Sequence, residues 1–271
     1  MKILISNDDG IYSPGIIALA NVASSFGDVL IVAPDVEQSS MSHAITSTRP
    51  IRFKKVALRD FQAYRVNGTP ADCVALGTHN WGRIDLVLSG INLGPNLGNA
   101  VWHSGTLAAA KQAALLGMRG IAFSTSTSDE TKEPDFLKLE PYIRKVLELI
   151  LKDKTMCLVN VNLPEKPKGI RWTRLAIGEY DGKVVRSKDP MGRPIFWFTV
   201  KPLDDEVEGT DRWAFMNRWV SITPLRLDLT AEKDLARALS VPEIPALSTG
   251  PRRKSGTRQR RKARRRRLGG D

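Results

Sequence analysis

Residues 1–16, MKILISNDDGIYSPGI, indicate the fold class most clearly. A short apolar run of strand length ends in two adjacent carboxylates, Asp8 and Asp9. Ser13 and Pro14 then predict the start of a helix, because Ser is a favoured N-cap and Pro suits the first helical position. A buried strand, a polar turn and a helix in this order predict the first unit of a parallel α/β sheet. Two adjacent acids repel each other, so their position at the turn requires a physical reason.

The alternation of strand and helix continues along the chain. Apolar segments predict strands at 3–6, 29–33, 84–88, 121–123 and 156–161. Helical patterns predict helices at 14–27, 71–78, 107–116 and 141–151. Continuous apolar strands separated by helices are typical of a parallel sheet that is covered on both faces. The predicted fold class is therefore α/β, with a doubly wound, mostly parallel, Rossmann-like sheet.

The pattern changes after Pro164. Three segments are strand-like and separated by turn residues, which predicts β-hairpins: RWTRLAIGEY at 171–180, PIFWFTV at 194–200 and RWVSITPL at 218–225. This part of the chain holds four Trp residues, for which burial at a subunit contact is a better explanation than stacking on bases: Trp172, Trp197, Trp213 and Trp219. We expect an α/β core at 1–165, a β-rich hairpin arm with a short helix at 166–250, and a tail at 251–271.

Most of the net charge of +12 belongs to the tail. Residues 252–271 contain 11 Lys and Arg and one acid, so residues 1–251 contain 30 basic and 28 acidic residues. Such a basic run lacks apolar residues and repels itself, so we expect disorder. Residues 252–267 could contact RNA or another polyanion without reading its sequence.

Composition also limits the cellular setting that we expect. No segment approaches the roughly 20 apolar residues that a membrane helix needs, and the apolar run at the N-terminus is too short for a signal peptide. Two cysteines, Cys73 and Cys157, are too few for a disulfide framework. We expect a cytoplasmic protein with no membrane contact.

Polar residues follow three predicted strands, and the carboxyl ends of parallel strands are where such sheets bind ligands. Asp8 and Asp9 follow the first strand, Ser39 follows the second, and Asn92 follows the strand at 84–88. All four side chains offer oxygen, which suits Mg²⁺ or Mn²⁺ better than zinc. A divalent cation would also remove the repulsion between the two acids. The alternative is an ordinary polar turn, but three such strand ends on one edge favour the cation.

Ser104, Gly105 and Thr106 open a predicted helix, where free backbone N–H groups can bind an anion. The alternative is a simple N-cap, which Ser104 could provide by itself. The nearby sequence GINLGPNLGNA has the wrong position and glycine spacing for a dinucleotide fingerprint, and no Gly-Lys-Ser/Thr ending indicates a P-loop.

Six motifs together resemble the SurE family in their chain order: NDDG, PDVEQSSMSH (34–43), NGTPADCV (67–74), SGINLGPNLG (89–98), HSGTLAAA (103–110) and GTDRWAFMNRWVSITPL (209–225). That family comprises metal-dependent 5′/3′-nucleotidases, also called survival proteins. The resemblance implies one Mg²⁺ or Mn²⁺ ion per subunit, held by Asp8, Asp9, Ser39 and Asn92. It implies phosphate contacts from Asn96, Ser104, Gly105 and Thr106, and an arm that exchanges contacts in a homodimer or homotetramer.

The activity that this resemblance implies is hydrolysis of nucleoside 5′-monophosphates to nucleoside and phosphate, with Asp8 and Asp9 as the catalytic residues. It leaves 3′-nucleotides and short polyphosphate open as further substrates. Attack by water is favoured over an aspartyl-phosphate intermediate, because aspartate phosphatases separate their two acids by one residue. Three alternatives are a nucleic-acid-associated binding protein that acts through the basic tail, a phosphatase of non-nucleotide monoesters, and a nucleotide-binding regulator.

Two residues depart from the family pattern. Ser40 stands where members of the family often have Gly, and His103 stands where they often have Tyr. His103 is a candidate proton donor to the leaving group. A role in packing or hydrogen bonding is the favoured interpretation for this lone histidine.

Overall fold

A computed structural model describes residues 1–127, 132–178, 182–200 and 207–240 of the chain. The chain divides into two units, Met1–Asp228 and Leu229–Asp271. The second unit contributes one described helix, and the predicted basic tail lies outside the described residues. No described helix combines the length and the apolar character that crossing a bilayer requires.

Nine of the described strands form one sheet, in the order β3-β4-β2-β1-β5-β6-β7-β11-β8. The strands are β1 (Lys2–Ser6), β2 (Asp28–Pro34), β3 (Phe53–Leu58), β4 (Phe61–Val66), β5 (Leu86–Leu93), β6 (Arg119–Thr125), β7 (Leu158–Leu163), β8 (Gly169–Trp172) and β11 (Trp219–Leu225). The six strands from β4 to β7 in this order are parallel, and β3 and β11 pair antiparallel with them at the two sides. Two further strands, β9 (Gly182–Lys188) and β10 (Pro194–Val200), form a separate antiparallel hairpin.

Helices cover both faces of the sheet. The helices of the first unit are α1 (Pro14–Ala23), α2 (Pro70–Trp81), α3 (Gly105–Leu115), α4 (Phe136–Lys152) and α5 (Asp211–Met216), with a 3₁₀ helix at Gly98–Trp102. The second unit contains α6 (Glu232–Leu239). Helices α1 and α4 pack against each other on one face, and α2 and α3 do so on the other. The predicted doubly wound α/β fold with a C-terminal hairpin is therefore confirmed.

The central strand β1 contributes to both cores. Ile3 and Ile5 belong to the apolar cluster of α1 and α4, whereas Leu4 belongs to the cluster that contains residues of α2 and α3. All three side chains are fully buried. The chain runs from β1 to β2 on one side and later returns to β5 on the other side. The carboxyl end of β1 is thus the topological switch point, where sheets of this type bind ligands.

Helix α1 ends at Ala23 rather than at Gly27, so that predicted boundary is wrong. Two further predicted boundaries are wrong because a tertiary contact extends the element. Strand β5 does not stop at Leu88. It continues past a register shift, and Asn92 still pairs with Ser124 of β6. Helix α4 begins at Phe136 rather than at Pro141, because its first turns carry Leu139 into the core.

The prediction that all three late segments form hairpins is also wrong. Only PIFWFTV does so, as β10 paired with β9. Strand β11 instead pairs antiparallel with β7, and β8 pairs parallel with β11, so both extend the main sheet. The reason is burial, because Val220 and Ile222 of β11 are fully enclosed in the main core.

Substitution of Gly15 in α1 tests the close packing of this helix on β5. A Cβ atom at Gly15 would lie 2.2 Å from the carbonyl oxygen of Ile91, the residue before Asn92. Gly15→Ala should therefore lower the free energy of unfolding by about 1–3 kcal/mol, as overpacking does in other cores. Urea denaturation measures this loss. Asn21→Ala, at an exposed position of the same helix, should change the free energy by no more than about 0.5 kcal/mol. Equal stability of the two variants would contradict the packing.

Candidate active site

The predicted site residues meet at one cavity of about 620 Å³ at the carboxyl ends of β1, β2 and β5. Five of the eight predicted residues line it: Asp8, Ser39, Asn92, Asn96 and Ser104. The other three, Asp9, Gly105 and Thr106, lie behind this surface, next to or in contact with Asp8. The structure therefore brings all eight residues together, from four separate parts of the chain.

Asp8 is the buried carboxylate of the cavity wall, with 5% of its surface exposed. Burial raises its pKa, and the hydrogen bond from Thr106 opposes that rise. The Thr106 hydroxyl donates to Asp8 Oδ1 over 2.6 Å. Gly105 is required beside it, because a Cβ atom there would lie 2.8 Å from the Cβ atom of Asp8. The start of α3 thus comes close enough to bind Asp8 only because residue 105 is a glycine.

The pKa of Asp9 shows that the environment of the acidic pair disfavours its charged form. Burial, and then the charge of Asp8, raise the pKa of Asp9 to about 7, and Glu37 adds to this rise. Its Oδ2 atom is buried and has no hydrogen-bond partner among the described residues. A carboxylate in this position is stabilised by a proton or by a cation.

Backbone contacts join the turn after β1 to the loop after β2. The N–H of Gln38 donates to the carbonyl oxygen of Asp8 over 2.7 Å, and the N–H of Ile11 donates to that of Pro34 over 2.9 Å. Gly10 makes the turn with a φ of +98°, which favours glycine. These contacts bring the loop that carries Ser39 to the acidic pair.

Ser39 and Asn92 complete the set of predicted cation ligands. Ser39 is exposed, and its hydroxyl donates to Glu37 Oε1 over 2.5 Å. The Asn92 amide nitrogen donates to the carbonyl oxygen of Gly94 over 2.6 Å, and its Oδ1 is the atom that could bind a cation. In the described part of the chain, no group of three or more His, Cys, Asp or Glu side chains could hold a metal ion. The predicted set contains only two such residues, and its other two members supply neutral oxygen.

These donors fit a hard divalent cation in three respects. Every predicted ligand offers oxygen, one buried oxygen of Asp9 lacks a partner, and the pKa values of both acids are raised. The contributions to those pKa values come from burial, hydrogen bonds and carboxylates, with no basic side chain among them. A divalent cation would supply the missing positive charge.

The N-terminus of α3 forms the neighbouring wall. The Ser104 hydroxyl accepts a hydrogen bond from the N–H of Leu107 over 3.0 Å, so Ser104 is the N-cap of α3. Ser104 is thus an N-cap, which was the alternative to an anion site in the sequence analysis. This role does not exclude an anion at the same helix N-terminus. The N–H groups of Gly105 and Thr106 have no partner within the helix, as in any first helical turn. The N–H of Thr106 is directed at the Asp8 carboxylate, and this contact lowers the pKa of Asp8.

Asn96 is held by several hydrogen bonds. Its Nδ2 atom donates to Ser124 Oγ over 2.8 Å and makes a longer contact of 3.4 Å with Thr106 Oγ1. His103 also lines the cavity, and its carbonyl oxygen accepts from the N–H of Ser42. The role of His103 as a proton donor remains a prediction.

Sequence reasoning did not predict that residues of β10 and α5 form part of the cavity wall. Phe198 of β10 and Arg212 of α5 both line the cavity, and Arg212 is the one Arg or Lys among its described lining residues. The buried carboxylate of Asp211 accepts the N–H groups of Gly98, Ala176 and Arg212 over 2.8–2.9 Å. The sequence GTDRW contains one signal, because the acid Asp211 stands beside the cationic residue Arg212. The residues whose N–H groups Asp211 accepts, Gly98 and Ala176, are distant in the sequence.

The fold and the site define a doubly wound α/β protein with an acidic, oxygen-lined pocket at its switch point. The family model described as Survival protein SurE matches residues 3–182. The chain is 48% identical over 237 residues to 5′-nucleotidase SurE 1 of Thermus thermophilus, which covers 85% of this chain and 94% of that protein. It is 45% identical over 247 residues to 5′-nucleotidase SurE of Deinococcus radiodurans, with 88% and 91% covered.

The crystal structure of the SurE protein from Aquifex aeolicus has the same fold. The TM-score is 0.75 at 38% identity, and the match covers 88% of this chain and 98% of that chain. This chain belongs to the SurE family. The resemblance inferred from the six motifs is confirmed.

The raised pKa of Asp9 predicts how the stability of the metal-free protein depends on pH. Between its ordinary pKa of 3.8 and about 7, the folded state binds more protons than the unfolded state. The free energy of unfolding should therefore fall as pH rises through this range. Asp9→Asn removes the titration, so in chelator the variant should be more stable than the wild type at pH 8. The difference should vanish near pH 4.

Urea denaturation at both pH values makes this comparison. Asp60→Asn, which removes one exposed carboxylate from the turn between β3 and β4, controls for the change in net charge. A stability difference between Asp9→Asn and the wild type that is the same at pH 4 and pH 8 would contradict the raised pKa.

Proposed function

We propose that this protein is a divalent-metal-dependent 5′-nucleotidase that hydrolyses nucleoside 5′-monophosphates to nucleoside and phosphate. The observation that carries the proposal is the pair of adjacent carboxylates, Asp8 and Asp9, set beside the N-terminus of α3. The names of the relatives support a phosphoric monoester hydrolase of the 5′-nucleotidase type. The activity expected from the resemblance is confirmed at this level.

The charges of the site explain why a cation is needed. Two carboxylates would repel a phosphate dianion, and no basic side chain contributes to their pKa values. We infer one Mg²⁺ or Mn²⁺ ion per subunit, held by Asp8, Asp9, Ser39 and Asn92. When bound, such an ion neutralises this charge, polarises a phosphoryl oxygen and makes water more acidic.

The side chains around the acids bind and orient the phosphate ester. The N–H group of Gly105 would bind a phosphoryl oxygen at the helix N-terminus, whereas the N–H of Thr106 is directed at the Asp8 carboxylate. Asn96 and Ser104 line the same wall and would confine the phosphate there. The acidic pair would accept the proton of the attacking water, and Thr106 keeps Asp8 oriented for that role. Phosphorus then gains the water oxygen and releases the nucleoside alkoxide, which takes up a proton.

The size of the cavity supports a nucleotide rather than phosphate alone. Its volume of about 620 Å³ leaves room beyond the acidic end, where Leu97, Phe198 and Arg212 line the walls. Apolar and aromatic walls with one cation suit a nucleoside, because a base can stack on an aromatic ring and a guanidinium group can donate to its oxygens. A phosphatase of non-nucleotide monoesters is the second candidate, and it predicts equal rates on esters without a base.

We also propose that the protein forms a homodimer or homotetramer through its hairpin arm. Three consecutive residues of β10 are largely exposed: Phe196 by 62%, Trp197 by 60% and Phe198 by 84%. An exposed apolar strand of this kind is typical of a surface that is covered by another chain. The division into a core at 1–165 and an arm at 166–250 stays a proposal, in which β8 and β11 of the arm join the core sheet and β9 and β10 form a separate hairpin.

Removal of metal and of single ligands tests the nucleotidase proposal. Phosphate release from a panel of nucleoside 5′-monophosphates should stop in chelator and return with Mg²⁺ or Mn²⁺. Asp8→Asn and Asp9→Asn should lower kcat/KM by about 100-fold or more, because each removes a charged ligand. Ser39→Ala should weaken the apparent metal affinity more mildly, because a neutral ligand contributes less charge.

The matched control is Asp60→Asn, which removes an exposed carboxylate far from the cavity along the chain. Its kcat/KM should equal that of the wild type, and circular dichroism should show that every variant is folded. Full turnover by metal-free protein, or wild-type rates in both Asp variants at low metal, would refute the proposed site. Equal rates on a benzyl phosphate and on the nucleotides would favour the second candidate.

Truncation separates nucleotidase activity from a role in binding nucleic acid. Residues 252–271 have 11 basic residues, one acid and no aromatic residue, so they can attract phosphates but cannot recognise bases. A chain that ends at Gly250 should hydrolyse small nucleotides at the wild-type rate and lose most salt-sensitive binding to RNA. Filter binding over a range of salt concentrations measures that loss. Loss of hydrolysis with an unchanged oligomeric state would place the tail in the active site.

A further inference from the structure

Strand β7 is buried along its whole length and contains two polar residues among apolar ones. Asn160 and Asn162 are fully buried, and their neighbours Val159, Val161 and Leu163 are core residues. A buried amide is costly unless it forms hydrogen bonds. Neither Asn160 nor Asn162 lines the cavity, so contact with the substrate does not account for them.

Both amides bind the backbone of Asn96. Asn162 Oδ1 accepts the N–H of Asn96 over 2.8 Å, and Asn162 Nδ2 donates to the carbonyl oxygen of Asn96 over 3.1 Å. Asn160 Nδ2 donates to the same carbonyl oxygen over 2.8 Å. Residue 96 lies in the loop after β5, beyond the strand pairing of the sheet. The two side chains of β7 therefore supply the hydrogen bonds that a neighbouring strand would otherwise provide.

The contacts continue from Asn96 to the acidic pair. Asn96 Nδ2 donates to Ser124 Oγ over 2.8 Å and lies 3.4 Å from Thr106 Oγ1. The Thr106 hydroxyl in turn donates to Asp8 Oδ1 over 2.6 Å. A hydroxyl has one proton, so an N–H group directed at its oxygen leaves that proton for the carboxylate.

We propose that Asn162, assisted by Asn160, is a positioning residue for the metal site. Its amide fixes the backbone of Asn96, whose side chain orients Thr106, and Thr106 holds Asp8 in the geometry that binds the cation. This inference rests on the proposed function, because it takes Asp8 as a cation ligand. Asn162 is the residue in this series of contacts that lies farthest from the cation ligands. It lies in the core on β7, and no residue of β7 lines the cavity.

Asn162→Leu removes the two hydrogen bonds from Asn162 to the backbone of Asn96 and keeps the same number of heavy side-chain atoms. The affinity for Mn²⁺, measured by isothermal titration calorimetry without substrate, should fall by about 10- to 100-fold, as for other groups that orient metal ligands. The kcat/KM for nucleoside monophosphates should fall by a similar factor. Unchanged Mn²⁺ affinity in a folded variant would overturn the proposal.

The matched control is Ser221→Ala. Ser221 of β11 pairs with Asn162 in the strand register and is fully buried, and its Oγ atom has no hydrogen-bond partner among the described residues. Its substitution disturbs the same depth of the core without touching Asn96. The Mn²⁺ affinity of Ser221→Ala should stay within about twofold of the wild type. A loss as large as that of Asn162→Leu would show a general effect of the core and overturn the proposal.

A double-mutant cycle separates positioning from general stability. In an Asn96→Ala background the side chain through which Asn162 acts is absent, so Asn162→Leu should change Mn²⁺ affinity by less than about twofold. The same loss in both backgrounds would show that Asn162 acts only on the fold, and would overturn the proposal.

Ser124→Ala keeps the test decisive if Asn162→Leu does not fold. It removes the other acceptor of the Asn96 amide, and it should weaken Mn²⁺ binding in the wild-type background but not beside Asn96→Ala. No effect in either background would overturn the proposal. Failure of the proposed function has a different result: the wild type would hydrolyse no nucleoside monophosphate, whereas Mn²⁺ affinity would still depend on Asn162.

Discussion

Two like charges on consecutive residues at the end of a fully buried strand are the constraint on which the site depends. The strand β1 is enclosed on both faces, so its carboxyl end lies where water screens charge poorly. Burial and, after it, the charge of Asp8 raise the pKa of Asp9 to about 7. Protonation relieves the repulsion but removes a ligand, whereas a cation relieves it and keeps both. The fold accepts this unfavourable pair because burial of the residues that precede it, Ile3 to Ile5, stabilises the strand.

The residues that hold this pair in place are neutral. Thr106, Asn96 and Asn162 orient by hydrogen bonds, and no basic side chain contributes to the pKa of either acid. A buried Lys or Arg beside the acids would neutralise them permanently and compete with a cation for their oxygens. Hydroxyl and amide groups fix the direction of a carboxylate without satisfying its charge, so such a site would keep the affinity for an exchangeable ion that we propose. This requirement explains why polar but uncharged residues occupy strands as apolar as β6 and β7.

The parts of the molecule that sequence reasoning predicted are those that local patterns determine. Apolar strands and capped helices indicated the doubly wound sheet, and the rule for strand ends placed Asp8, Ser39 and Asn92 at one cavity. Pairing between distant strands has no such local signal. The alternating residues of β11 suit a hairpin as well as the edge of a sheet, and only burial against β7 decides between them. The same applies to Arg212, whose neighbour Asp211 binds the backbone of Gly98, 113 residues away. The contacts of Asn96 required the structure, since a single Asn in a loop has many ordinary roles.

The origin of each cavity wall has a consequence for specificity. The acidic end comes from strands β1 and β5 and from the start of α3, elements that the core sheet holds rigidly. The opposite walls come from the 3₁₀ helix, from β10 and from α5, and Asp211 joins the first of these to the last through hydrogen bonds to Gly98 and Arg212. On the proposed function, the core would provide the groups that act on the phosphate ester, whereas the C-terminal part would select the leaving group that fits. Under the same proposed function, a substitution at Phe198 would consequently alter the choice of nucleoside more than cation binding, because Phe198 lines the cavity with an apolar side chain that offers no cation ligand.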